Sequence, residues 1–140
     1  MKKIYSLLFI AVLIAGCSKD FLKKYDTRIK GTWQLTDVDR RGIGGSVGHL
    51  PFSDGQFIFD ENGGLTYNDP AGTVYKGTWD IKRNYYGDDE THSLLITAVD
   101  YVSQDVKSEF FDEMTFTGTD HFKAFVNSAT RSYVFHFRRQ

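Results

Sequence analysis

Short alternating runs of apolar and polar residues, broken by glycine, asparagine and aspartate, predict an all-β domain built on an antiparallel sheet of about eight strands. Two further observations support that class. The 140 residues include 12 Phe, 8 Tyr and 2 Trp, side chains that suit a pleated, half-buried surface and can build a core. No Pro/Gly-rich linker divides the chain, and its length suits a single domain.

The amino terminus obeys different rules. Lys2 and Lys3 precede a mostly apolar run from Ile4 to Leu13, which ends in Ile14-Ala15-Gly16-Cys17. A charged start, a short apolar stretch and small residues before a cleavage point are the parts of a secretory signal. The run is shorter than the about 20 apolar residues needed to cross a bilayer, because Lys19 and Asp20 stop it. With the cysteine in that place, the segment resembles a bacterial lipoprotein signal. The resemblance implies cleavage between Gly16 and Cys17, a diacylglyceryl group on the Cys17 thiol and acylation of the new α-amine. Several acyl chains, at about 0.8 kcal/mol per buried methylene, would hold a soluble domain on a membrane permanently. Ser18, where an Asp would favour the inner membrane, implies an outer-membrane address by the sorting pattern of such lipoproteins.

Residues 18–30 are charged and free of Gly and Pro, and Phe21, Leu22 and Tyr25 lie at helical spacing. A short helix and a solvated tether suit this stretch equally. From Ile29 the period changes to two. Gly31, Trp33 and Leu35 open the first strand; Phe57 and Phe59, then Leu65 and Tyr67, flank the turn Asp60-Glu61-Asn62-Gly63-Gly64. Tyr75, Gly77, Trp79 and Ile81 form a central strand, followed by Leu94, Ile96 and Ala98. Phe122, Ala124 and Val126 precede the closing run Tyr133, Phe135 and Phe137. Between Asp100 and Met114 two patterns compete: Val102, Val106, Phe110 and Met114 recur every four residues, whereas Phe110-Phe111 and Thr115-Phe116 suit strands. Strands are expected there, since the segment links two clear strands. The long glycine-rich loop from Arg40 to Gly55 joins the first two strands.

Lys30-Gly31-Thr32-Trp33 recurs as Lys76-Gly77-Thr78-Trp79. A Trp two residues after a Gly shares its face, so the absent side chain leaves room for the indole across the sheet. With this repeat, the Phe57-to-Tyr67 hairpin and the closing Tyr133-to-Arg138 run, the sequence resembles the lipocalin-like domains of small bacterial lipoproteins. The resemblance implies an eight-stranded up-and-down barrel, with Gly31 and Trp33 plugging one end under a basic residue of the last strand, Arg138 or Arg139, of which Arg138 is taken. Cation–π packing gives that pairing its physical basis. The expected organisation is a signal peptide over 1–16, lipidated Cys17 with a tether over 17–30, and a lipocalin-like barrel over 31–140.

An eight-stranded barrel is either just filled by side chains or holds one small ligand. Phe57, Phe59, Tyr67, Tyr75, Trp79 and Phe135 have inward parity and are the candidate ligand-binding residues for a small apolar or aromatic molecule, entering under the Arg40-to-Gly55 loop. The competing expectation is a packed aromatic core, with exposed loops that bind a protein or glycan. Catalysis is not expected: no nucleophile elbow, phosphate-binding loop or Cys/His pair appears, and Cys17 is assigned to lipid. No cofactor or metal is expected either. Asp88, Asp89, Glu90 and His92 come from one short run and read as a hairpin loop, Asp60-to-Gly64 reads as a turn, and His49, His92, His121 and His136 are dispersed. Removing Lys2 and Lys3 with the leader leaves 15 basic against 18 acidic residues, a net −3 that argues against a nucleic-acid partner.

Overall fold

The computed structural model describes residues 24–42, 49–128 and 132–140. The expected signal peptide, Cys17 and residues 43–48 of the glycine-rich loop lie outside them. The described chain is all-β apart from one helical turn, α1 (Tyr25–Ile29). Nine strands follow: β1 (Gly31–Arg41), β2 (Gly55–Phe59), β3 (Gly64–Asn68), β4 (Val74–Tyr86), β5 (Asp89–Val99), β6 (Val106–Phe111), β7 (Glu113–Thr117), β8 (His121–Asn127) and β9 (Ser132–Arg139).

They form one antiparallel sheet in the order β6-β5-β4-β3-β2-β1-β9-β8-β7. Sequential hairpins build each half, and β9 returns to pair with β1 through Trp33↔Arg139 and Leu35↔Phe137. One extra residue at Thr36 shifts the register between Leu35 and Asp37. That bulge keeps Val38 and Arg40 on the face of Phe135 and Tyr133, opposite which they stand.

The expected eight strands are nine because one expected strand is split. Asp112 interrupts the run from Val106 to Thr117, so that β6 pairs with β5 and β7 pairs with β8. The Asp112 amide donates to Phe125 O at 2.8 Å, and its carboxylate accepts from the Asn127 amide at 2.6 Å. The sheet's hydrogen-bonded ladder is therefore not closed, although the chain itself passes from one edge strand to the other at Asp112. The four-residue spacing of Val102, Val106, Phe110 and Met114 makes no helix; Val106 and Phe110 face outward on β6 and Met114 inward on β7.

The expected inward parity holds for the large apolar residues, while Val134 and Ser93 are buried at the opposite parity. Trp33, Leu35, Phe57, Phe59, Leu65, Tyr67, Tyr75, Trp79, Leu94, Ile96, Ala98, Phe111, Met114, Phe122, Tyr133, Phe135 and Phe137 are buried in one core. Burial of a large aromatic or aliphatic side chain contributes about 1.5–3 kcal/mol.

Candidate functional site

The six candidate ligand-binding residues come together, but against one another. Phe57 stands 4.6 Å from Tyr67 and 6.3 Å from Phe59 between ring centroids; Phe59 meets Trp79 at 5.9 Å and Tyr67 meets Tyr75 at 5.6 Å. Phe135 joins through Phe111 at 5.0 Å, and Phe111 and Phe57 both reach Phe137. Most of these pairs are edge-on or tilted, the geometry that ring quadrupoles favour. The mouth expected under the glycine-rich loop is occupied. Phe52, 1 % exposed, lies edge-on to Phe57 at 5.3 Å and to Tyr67 at 4.9 Å. Parity could not find Phe52, which belongs to no strand; its only sequence signal is an aromatic after Pro51 in a polar, glycine-rich loop.

Two tyrosines of this cluster anchor their hydroxyls at its rim. Tyr67 donates to Asp54 O at 2.8 Å and Tyr75 to Asp105 Oδ2 at 3.0 Å. Burial, and next the carboxylates nearby, push both phenols up to about 12. The Trp79 indole N–H and the Tyr133 hydroxyl are also buried, but have no hydrogen-bond partner among the described residues.

The plug at the Trp33 end forms with one correction. Arg139, not Arg138, covers the indole, with its guanidinium carbon 4.3 Å from the ring centroid. The reason is parity: Arg139 follows Phe135 and Phe137 on the inward face and stands opposite Trp33, whereas Arg138 points outward opposite Gln34. Arg139 also donates to Arg28 O at 2.6 Å, Lys30 O at 2.9 Å and Thr119 O at 3.2 Å, tying two chain segments to the plug. The absent side chain at Gly31 makes room for Arg139 rather than for the indole, since a β-carbon there would stand 2.7 Å from Arg139 Nη1. At Gly77 the space is taken by β5, whose Thr97 carbonyl and Ala98 Cα press against it.

Helix α1 seals the same end. Ile29 is fully buried and its carbonyl accepts the Trp33 indole N–H at 2.5 Å. Tyr25 stacks on His92 of β5 at 3.7 Å and 3°, and meets Phe116 of β7 edge-on at 5.1 Å, filling the gap where those strands do not pair. Beside this stack a cleft of about 200 Å³ is lined by Lys24, Tyr25, Asp26, Ile81, Arg83 and His92. Arg83 of β4 reaches Glu90 across the hairpin at 3.2 Å, and His92, two residues along β5, reaches the same carboxylate at 3.4 Å, so Glu90 is engaged within the hairpin. Burial lowers the His92 pKa, with Glu90 opposing the shift and Arg83 adding to it. The Asp60 carboxylate likewise accepts from the Asn62 and Gly64 amides, as a turn does. Among the described residues no three His, Cys, Asp or Glu side chains converge as metal ligands, and no helix is long and apolar enough to cross a membrane.

The outer face carries exposed apolar side chains of its own. Leu95 and Phe110 stand directly opposite each other on β5 and β6 and are 41 % and 49 % exposed. Val106 on the same face of β6, and Tyr101 and Val102 in the β5–β6 turn, are exposed as well. Comparison with family models, with curated proteins and with solved structures finds no match for this chain.

Proposed function

We propose that the chain is a lipid-anchored lipoprotein of the bacterial cell envelope, held in the outer membrane through Cys17, whose lipocalin-like barrel acts as a non-catalytic interaction module. The observation that carries this reading is Phe52, seated over Phe57 and Tyr67 where an apolar ligand would enter. With these rings packed on one another, the exposed apolar surface that supports recognition is the outer face of β5 and β6, where Leu95 and Phe110 lie side by side. Such patches on a soluble domain mark contact with another macromolecule, here a protein or glycan of the envelope. A small apolar or aromatic ligand is the second reading, favoured by the partnerless Trp79 indole N–H and Tyr133 hydroxyl.

A photo-crosslinking residue placed at Phe110 in living cells tests the module, with Thr66 on the β2–β3 side as control. A discrete adduct from position 110 and none from position 66 is expected; adducts from neither would remove the β5–β6 face from the account. The anchor is tested separately by Cys17→Ala, which is expected to release the domain from membranes or leave it unprocessed. A variant of mature size that still fractionates with membranes would contradict the lipid assignment.

A further inference from the structure

The β4–β5 hairpin runs past its neighbours at the end of the sheet where α1 lies. β3 pairs with β4 only as far as Thr78 and β6 pairs with β5 only from Leu94, whereas β4 and β5 stay paired with each other out to Tyr86↔Asp89. The seven residues from Asp80 to Tyr86, at about 3.3 Å each, carry the hairpin about 23 Å beyond β3. Its base is covered by α1, through the Tyr25 ring on His92, which stands opposite Arg83. Its tip is not covered: Tyr85 and Tyr86 are 64 % and 71 % exposed. Successive residues of a strand point to opposite faces, so the tip shows an aromatic ring on each side. Arg83 donates to the Tyr85 hydroxyl at 3.2 Å, which leaves the ring itself in solvent.

The chain enters the fold beside this hairpin. Lys24 lines the same cleft as Arg83 and His92, and Cys17 lies seven residues before it. Seven residues span at most about 25 Å when fully extended, so acyl chains on Cys17 bring a bilayer surface within reach of the tip. The exposed Tyr101 and Val102 of the β5–β6 turn are at the far end of β5, about 33 Å along the strand. Tyrosine is suited to a lipid–water boundary, where its ring is buried and its hydroxyl stays wet. Charges of both signs surround the pair. Arg83 and Lys24 are close to the base, while Asp88 and Asp89 at the turn form no ion pair among the described residues.

We propose that the tip of the β4–β5 hairpin rests in the headgroup layer of the membrane that holds the anchor, with Tyr85 and Tyr86 at the lipid–water boundary. The inference rests on the lipid anchor of the proposed function and adds to it the face that the domain turns to the bilayer. The lipid it fits is zwitterionic: phosphates meet Arg83 and Lys24, and headgroup ammonium ions meet Asp88 and Asp89. The β5–β6 turn then points away from the membrane.

The test uses the full chain reconstituted in phosphatidylcholine vesicles, with brominated phosphatidylcholine as quencher. Tyr86→Trp reports the tip. Val74→Trp, at the other end of β4 where the side chain is 47 % exposed, is the control, and the buried Trp33 and Trp79 give both the same background. The emission added at position 86 is expected to fall at least twofold, and that added at position 74 to stay unchanged. Replacing part of the lipid with anionic phosphatidylglycerol is expected to bring no further quenching at position 86. Equal quenching at the two positions, or none at position 86, would overturn the proposal, and a rise with phosphatidylglycerol would overturn the zwitterionic assignment. The intact mass of the same preparation reads acylation separately. An acylated chain left unquenched at position 86 overturns the hairpin contact and leaves the anchor standing; quenching at position 86 alone in an unacylated chain does the reverse.

Discussion

Gly31→Val should be among the most damaging single changes outside the core. Gly31 has φ +117°, a backbone angle at which a β-branched residue is strained by about 1–3 kcal/mol. Its β-carbon would also stand 2.7 Å from Arg139 Nη1, which has little freedom to withdraw: the same guanidinium is bonded to Arg28 O, Lys30 O and Thr119 O and lies over Trp33. Displacing it forfeits charge-assisted hydrogen bonds worth about 1.5–3 kcal/mol at the net. The two effects together amount to about 2.5–6 kcal/mol, which in a domain of this size lowers the melting temperature by about 10 °C or more. Thr32→Val is the control, because Thr32 is on the other face of β1 and its side chain makes no hydrogen bond among the described residues; about 0.5 kcal/mol is expected. Thermal melting by circular dichroism, checked by urea midpoints, measures both. Equal losses for the two variants would refute the claim that Gly31 exists to seat Arg139.

Phe57→Ala should cost about 3–5 kcal/mol, since Phe57 is fully buried and touches Phe52, Phe59, Tyr67 and Phe137; a loss below about 1 kcal/mol in urea denaturation would mean that the rings are not packed as described. The Tyr25–His92 stack predicts an acid-sensitive seal. The folded state favours neutral His92, so the unfolded state takes up the proton first, and stability should fall as pH drops below the ordinary value of 6.5 and level off below the folded pKa. His92→Phe should remove that component of the pH dependence; melting curves with unchanged slope between pH 7 and pH 5 in the variant would contradict the assignment.

The strands were legible because the large apolar residues recur with a period of two: Trp33, Phe57, Tyr75, Trp79, Phe135 and Phe137 all face where their parity puts them, although Val134 is buried at the opposite parity. The same rule carried one step further selects Arg139 over Arg138, since 135, 137 and 139 share a face. What stayed hidden depends on contacts between residues distant in sequence. The five-residue helix α1 holds through Ile29 and Tyr25 against β1, β5 and β7, and nothing in its own composition announces His92 as a partner. Phe52 sits in a loop, where no period applies, and the switch at Asp112 is a matter of which neighbour β6 and β7 can reach.

The central claim is that the inward face of the sheet is filled by its own rings. Its most direct measurement is the response of Trp79, packed on Phe59 inside the core, to long-chain fatty acids and sterols, which could bind only by opening that interior. The account predicts unchanged Trp79 emission in a Trp33→Phe background and an unchanged melting temperature up to saturating ligand. A hydrophobic pocket would instead quench or shift that emission and, at a hundredfold excess over the dissociation constant, stabilise the fold by about 2.7 kcal/mol, a result that would contradict the packed interior and restore the ligand-carrying reading.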